Sequence, residues 1–120
     1  RIDRFLAIFY IGRSMMKASR PITQRSQSQL EAHIRSLAQN SANLVFTDHI
    51  RAQMRTRRIS MSCVLSTLRE GRIRRTPEPN AAYGTLECRM EARCEGSNVG
   101  VVVALNDVDP TLVLVTALYI

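Results

Sequence analysis

Thr85-Leu86-Glu87-Cys88-Arg89-Met90-Glu91-Ala92-Arg93-Cys94 alternates apolar and polar residues without a break, and that alternation decides the fold class. A period of two puts Leu86, Cys88, Met90, Ala92 and Cys94 on one face of a strand and Thr85, Glu87, Arg89, Glu91 and Arg93 on the other, so one face is core and the other polar. Turn chemistry at Glu95-Gly96-Ser97-Asn98 leads to a strand over Val99 to Leu105, and Asp107-Val108-Asp109-Pro110 leads to a last strand over Leu112 to Tyr119. Such short connections imply antiparallel neighbours. Arg72 to Arg75 reads as a short edge strand, with Arg72 and Arg74 on one face and Ile73 on the other. The segment from Thr76 to Gly84, holding Pro77 and Pro79, reads as the most mobile loop.

Before Gly71 the period is helical. Apolar residues wrap most of the way round a helix over Ile2 to Ala18, which Ser19-Arg20-Pro21 ends. Leu30, Ile34 and Leu37 leave a narrow stripe on a half-exposed helix over Gln27 to Asn40. Thr47 caps the next helix, with Asp48 favourable in its first turn, Ile50 and Met54 facing inward, and an end near Arg58. Ser60 caps the one after, with Met61, Val64, Leu65 and Leu68 inward and Gly71 as its stop. The order predicts a single α+β domain over residues 1–120, N-terminal helices packed on a three- to four-stranded antiparallel β-meander.

The formal net charge of +7 is also the surplus of one stretch, Arg51 to Arg75, where eight arginines face the single acid Glu70. Sixteen of the seventeen basic residues are Arg, whose planar fork matches phosphate oxygens in pairs, so the block points to a polyanionic partner. A solvated charged face is the plain alternative. With no Trp and 5% aromatic residues, base stacking is not the main binding device. Cys63, Cys88 and Cys94 show no CxxC spacing, and Cys88 and Cys94 sit roughly 20 Å apart along one strand. All three are expected as buried thiols, compatible with a reducing cytosol, and no metal site is expected. Phe5 to Ile11 is too short to span a membrane, and the start at Arg1 suggests a piece of something longer.

Among candidate chemical groups, His49 alone offers an imidazole for proton transfer beside the arginine block. It shares a helical stripe with Gln53 at the boundary between core and solvent; a histidine hydrogen-bonded locally at a helix start is the competing reading. His33 is expected at the surface. Arg51, Arg55 and Arg58 fall on the far side of the same helix and suit backbone docking, while Arg57 lies between the two faces. Glu87 and Arg89, and Glu91 and Arg93, suit ordinary cross-strand ion pairs. Thr116 interrupts the alternation Leu112, Leu114, Leu118, an odd place for a hydroxyl unless it bonds a neighbour or faces a cleft. Tyr119 points to the opposite face by parity. No GxSxG elbow, GxxxxGK[ST] loop, HExxH pair or metal-spaced carboxylate cluster occurs, which leaves metal-independent, cofactor-free chemistry on a phosphate substrate.

Thr47-Asp48-His49, then Met54, Arg57, Ile59 and Ser60, a following helix, Gly71 and strands ending Val113 to Tyr119 resemble the family called domain of unknown function 4258, over roughly Leu44 to Tyr119. The resemblance implies the fold of barnase, EndoU, colicin and RelE type ribonuclease toxins (BECR), as in the C-terminal toxin of a contact-dependent growth inhibition (CdiA) protein. It matches the family's His and later Arg to His49 and Arg57, and puts Gln53-Met54 where Arg-Met is common. It divides the chain into a helical part, 1–43, suited to delivery or immunity-protein contact, and a nuclease-like core, 44–120. The expected function is cleavage of RNA, transfer RNA above all, by attack of a ribose 2′-hydroxyl. Catalysis is expected from His49, Arg89, Arg72, Thr116 and Tyr119, and RNA binding from Arg51, Arg55, Arg57, Arg58, Arg74 and Arg75. The expected partners are RNA and an acidic immunity protein, with no stable membrane insertion, delivery from the producer's surface or by secretion, and action in the target cytoplasm. A noncatalytic basic module that binds nucleic acid or protein is the alternative.

Overall fold

The computed structural model describes residues 21–120. The helix expected over Ile2 to Ala18 lies outside them. Three helices, α1 (Gln27–Ala38), α2 (Asp48–Arg57) and α3 (Met61–Glu70), accompany six strands, β1 (Leu44–Phe46), β2 (Arg72–Ile73), β3 (Glu78–Asn80), β4 (Thr85–Cys94), β5 (Ser97–Leu105) and β6 (Leu112–Tyr119). The fold is α+β.

The sheet runs β1-β6-β5-β4-β2, with β3 also paired to β4. Its centre is the expected meander, with β4 against β5 from Leu86↔Leu105 to Cys94↔Ser97 and β5 against β6 from Val99↔Tyr119 to Ala104↔Val113. Two short strands enlarge the expected three or four to six. β1 lies parallel to β6, Leu44 opposite Leu112, and β3 forms where a mobile loop was expected, Glu78 opposite Glu87. Three residues are too few to show a period, and Pro79 is tolerated in β3 because that strand has a neighbour on one side only.

The helices cover one face. Leu30 and Ile34 of α1, Ile50 of α2, and Val64 and Leu68 of α3 are fully buried with Met90, Val101, Val103, Leu112 and Leu114 of the sheet. Each such side chain contributes roughly 1.5–3 kcal/mol. Met61, expected inward, is 43% exposed, and Cys63 and Thr67 complete the buried stripe of α3 instead. Leu65, also expected inward, packs half-buried against that core.

Hydroxyl caps fix two helix starts. Thr47 Oγ1 accepts the Ile50 N–H at 3.2 Å and donates to the Leu114 carbonyl at 2.8 Å, so the cap of α2 is also pinned to β6. Ser60 Oγ accepts the Cys63 N–H at 3.1 Å. Gly71 ends α3 with φ −77°, so no left-handed turn demands the glycine. Close approach does: a Cβ there would strike the Thr67 carbonyl oxygen and come within 2.9 Å of that of Glu91.

The cysteine expectation is corrected. Cys63 and Cys94 form a disulfide with Cα atoms 5.9 Å apart, leaving Cys88 as the free thiol, which burial pushes up to about 12. Cys63 lies near the start of α3 and Cys94 ends β4, 31 residues later, a contact that spacing along the chain does not reveal. Cys88 and Cys94 do not bridge each other, as strand geometry requires. Among the described residues, no helix is long and apolar enough to cross a membrane.

Candidate active site

Opposite the helices, the sheet's other face carries a groove of about 540 Å³. Its lining is Arg75, Thr76, Glu78, Glu87, Arg89, Val102 and Thr116. Register builds the floor, because Arg89 of β4 faces Val102 of β5, which faces Thr116 of β6. A slip in that last pairing explains the misplaced hydroxyl: Val102 meets Thr116 while Val103 meets Leu114, leaving Val115 as an extra residue. The bulge reverses parity, so Leu114 and Ala117 are both buried and Thr116 faces the groove.

Arg89 lies along the floor, paired with Glu91 rather than Glu87. Its Nε and Nη2 both stand 2.8 Å from Glu91 Oε2. Gly100 gives it room, since a Cβ there would sit 3.4 Å from Arg89 Cδ and 3.0 Å from Ile120 Cδ1. Glu87 Oε2 accepts from Asn80 Nδ2 at 3.4 Å. The groove therefore holds two guanidinium groups for an anion and carboxylates that accept protons.

His49 is exposed in the first turn of α2, on the rim of β6 rather than in the groove lining. Gln53, one turn on, links it to the sheet: Gln53 Oε1 accepts the Ala117 N–H at 2.9 Å, and Gln53 Nε2 lies 2.9 Å from His49 Nε2. Two hydrogen bonds and one amide group hold the imidazole within about 8 Å of the Ala117 nitrogen, the next backbone atom after Thr116. Another turn on, Arg57 Nη1 donates to the Ala117 carbonyl at 2.7 Å. His49, Gln53 and Arg57 thus form one stripe facing the edge of β6.

The structure divides the expected site. Arg75, Arg89 and Thr116 come together in the groove, and His49 stands on its β6 side. Tyr119 points to the helix side, where its hydroxyl donates to the Arg58 carbonyl at 2.9 Å. Arg72 is exposed on β2 opposite Glu91, beyond β4. Arg51 covers the Phe46 ring at 5.4 Å, and Arg55, Arg58 and Arg74 are exposed. Arg69 of the same block serves the fold, its Nε donating to the Ala38 carbonyl at 2.8 Å. His33, expected at the surface, is half-buried; desolvation, then the nearby Arg25 charge, lowers its pKa from 6.5. Glu87, Glu78 and Thr76 of the groove, and the bridging role of Gln53, were not anticipated. Glu87 was visible as a face-mate of Arg89, whereas Glu78 and Thr76 required the unseen β3. Among the described residues the one cluster with metal-ligand spacing is Cys63, Cys94 and Glu95, and its two sulfurs are spent on the disulfide.

Residues 46–119 match the family described as domain of unknown function 4258 (DUF4258). The chain belongs to that family. The DUF4258 match opens at the end of β1 and closes at the end of β6, so it contains α2, α3, the groove and the rim, while α1 precedes it. Membership agrees with the resemblance carried by Thr47-Asp48-His49 and the residues after it. No curated protein and no solved structure matches the chain.

Proposed function

We propose that this protein is a metal-independent endoribonuclease, with the groove on the sheet face opposite α1, α2 and α3 as the catalytic cleft. The observation that carries the reading is the grouping of Arg75, Arg89, Glu87 and Thr116 in one groove, with the exposed imidazole of His49 tied through Gln53 to Ala117, the residue after Thr116. Guanidinium groups aimed at a phosphate stabilise charge that builds on its oxygens, and they do so best in a partly desolvated site. RNA brings its own nucleophile. The ribose 2′-oxygen bonds to phosphorus and the bond from phosphorus to the 5′-oxygen breaks. Glu87 takes the 2′ proton, and the 5′-oxygen leaves with a proton drawn from water, steadied by a hydrogen bond donated from His49. The products are a cyclic phosphate and a 5′-hydroxyl. Exposed Arg51, Arg55, Arg58 and Arg74 extend the basic surface along which the strand docks.

Within this reading the enzyme is a bacterial toxin delivered as part of a larger secreted protein, with transfer RNA as its target and an acidic immunity protein as its inhibitor. The arginine excess, which suits both an RNA substrate and an acidic inhibitor, supports it. The test is incubation of the purified protein with total RNA in the presence of a chelator. Discrete fragments ending in cyclic phosphate support the enzyme; intact RNA of shifted mobility would replace it with a noncatalytic binding module. That second reading draws support from Arg89, whose guanidinium Glu91 already engages.

A further inference from the structure

We infer that Gln53 is a positioning residue that fixes the imidazole of His49 in the tautomer protonated at Nδ1, so that His49 meets its substrate as a hydrogen-bond donor and not as a base. The inference follows from the direction of three hydrogen-bonding groups in a row. A backbone N–H can only donate, so the Gln53 atom that takes the Ala117 N–H at 2.9 Å is the amide oxygen. The other end of the same amide is then an NH2 group, which also can only donate. It lies 2.9 Å from His49 Nε2, so that ring nitrogen must offer its lone pair and the proton of the neutral ring must sit on Nδ1.

The sheet thereby sets the imidazole's polarity through one side chain. Turning the amide over would bring its NH2 against the Ala117 N–H, donor to donor, while a proton on Nε2 would face the amide's own N–H. The first loses a hydrogen bond at a partly buried strand edge and the second loses the exposed one to the ring, so the arrangement holds itself. The free nitrogen, Nδ1, carries hydrogen and has no lone pair with which to take a 2′ proton. Its use on a phosphate is that of a neutral donor to an oxygen where charge develops. The base must then be another group, which agrees with the carboxylate of Glu87 inside the groove. The catalytic half of this inference rests on the ribonuclease reading; the tautomer does not.

The identity of residue 53 gives the point weight. An arginine has no acceptor atom for the Ala117 N–H, so the link from strand to imidazole exists only with a side chain that accepts at one end and donates at the other.

The test is ring nitrogen NMR on the intact protein labelled at histidine, near pH 8, with His33→Gln to assign the signals. The wild type is expected to show the long-range proton correlations of the Nδ1–H form for His49. Gln53→Ala should shift the ring toward the Nε2–H form that free histidine favours. Gln53→Glu should invert it, because a carboxylate can keep the Ala117 bond yet only accept from the ring. In RNA cleavage, Gln53→Glu should lower kcat by about tenfold or more with KM little changed. A wild-type ring in the Nε2–H form, or a tautomer unmoved in both variants, overturns the inference. If the tautomers behave as stated and the wild type cuts no RNA, the assignment of Gln53 stands and the ribonuclease reading falls.

Discussion

Breaking the Cys63–Cys94 disulfide should cost this small domain a large part of its stability. The bridge ties the first turn of α3 to the end of β4 across a sequence separation of 31 residues. Closing a loop of that length removes chain entropy from the unfolded state equivalent to about 3.7 kcal/mol at 25 °C, a model-dependent figure within the usual range of about 2–4 kcal/mol. Cys63 is 5% exposed, so Cys63→Ala is a cleaner partner for Cys94→Ser than a buried serine would be. In urea, with a slope of about 1–3 kcal/mol per molar for a domain of this size, the unfolding midpoint of the double variant should fall by roughly 1–4 M. The wild type with reductant should shift likewise. Counting thiols in denaturant without reductant should find Cys88 alone. Coincident unfolding curves, or three reactive thiols, would refute the reasoning.

Three further outcomes follow from the site and its supports. Gly71→Ala places a methyl against the carbonyls of Thr67 and Glu91 and should destabilise the fold by about 1–3 kcal/mol in the same urea assay; an unchanged midpoint refutes the close-approach argument. His33 has a folded pKa below its unfolded value, so the unfolded chain binds the proton more readily. Its contribution is therefore complete above the unfolded pKa and lost as pH falls through the lowered folded one. Unfolding midpoints measured from about pH 7.5 down to about pH 5 should fall less steeply in His33→Gln than in the wild type, and parallel slopes would remove that role. Under the proposed chemistry, Glu87→Gln should reduce RNA cleavage by about 10²- to 10⁴-fold while leaving RNA affinity near its original value, and wild-type cutting by that variant would discard Glu87 as the proton acceptor.

What the sequence made legible was what repeats with a period. The strand over Thr85–Cys94, the two strands after it and the three described helices follow from alternation, helical stripes and the caps Thr47 and Ser60, each a local signal. The hidden parts depend on contacts distant along the chain. Strand β1 takes its identity from pairing with β6, and β3 from pairing with β4, so neither three-residue segment declares itself alone. The disulfide and the burial of His33 were missed for the same reason. The site was half legible: Arg89 and Glu87 share a face by simple parity, but Thr116 joins them only because β6 carries one extra residue. His49 and Gln53 were visible as neighbours on a helix, yet the contact of Gln53 with β6, 64 residues further along, was not. An arginine block that looks uniform as text divides in space into cleft, surface and scaffold, since a guanidinium serves a buried carbonyl as readily as a phosphate.

Helix α2 occupies the flank of β6 where β1 stops. Gln53 and Arg57, about 6 Å apart along the helix axis, saturate the N–H and C=O of Ala117 much as an adjoining strand would. On the opposite margin, Glu31 Oε1 does the same for the Ile73 N–H at 2.7 Å. Exposed main-chain donors and acceptors invite foreign segments to stack on, so these plugs protect the molecule from fibril-like self-association beside its own cleft. Among the described residues, main-chain pairing by a foreign strand is thereby left to β1 or β3.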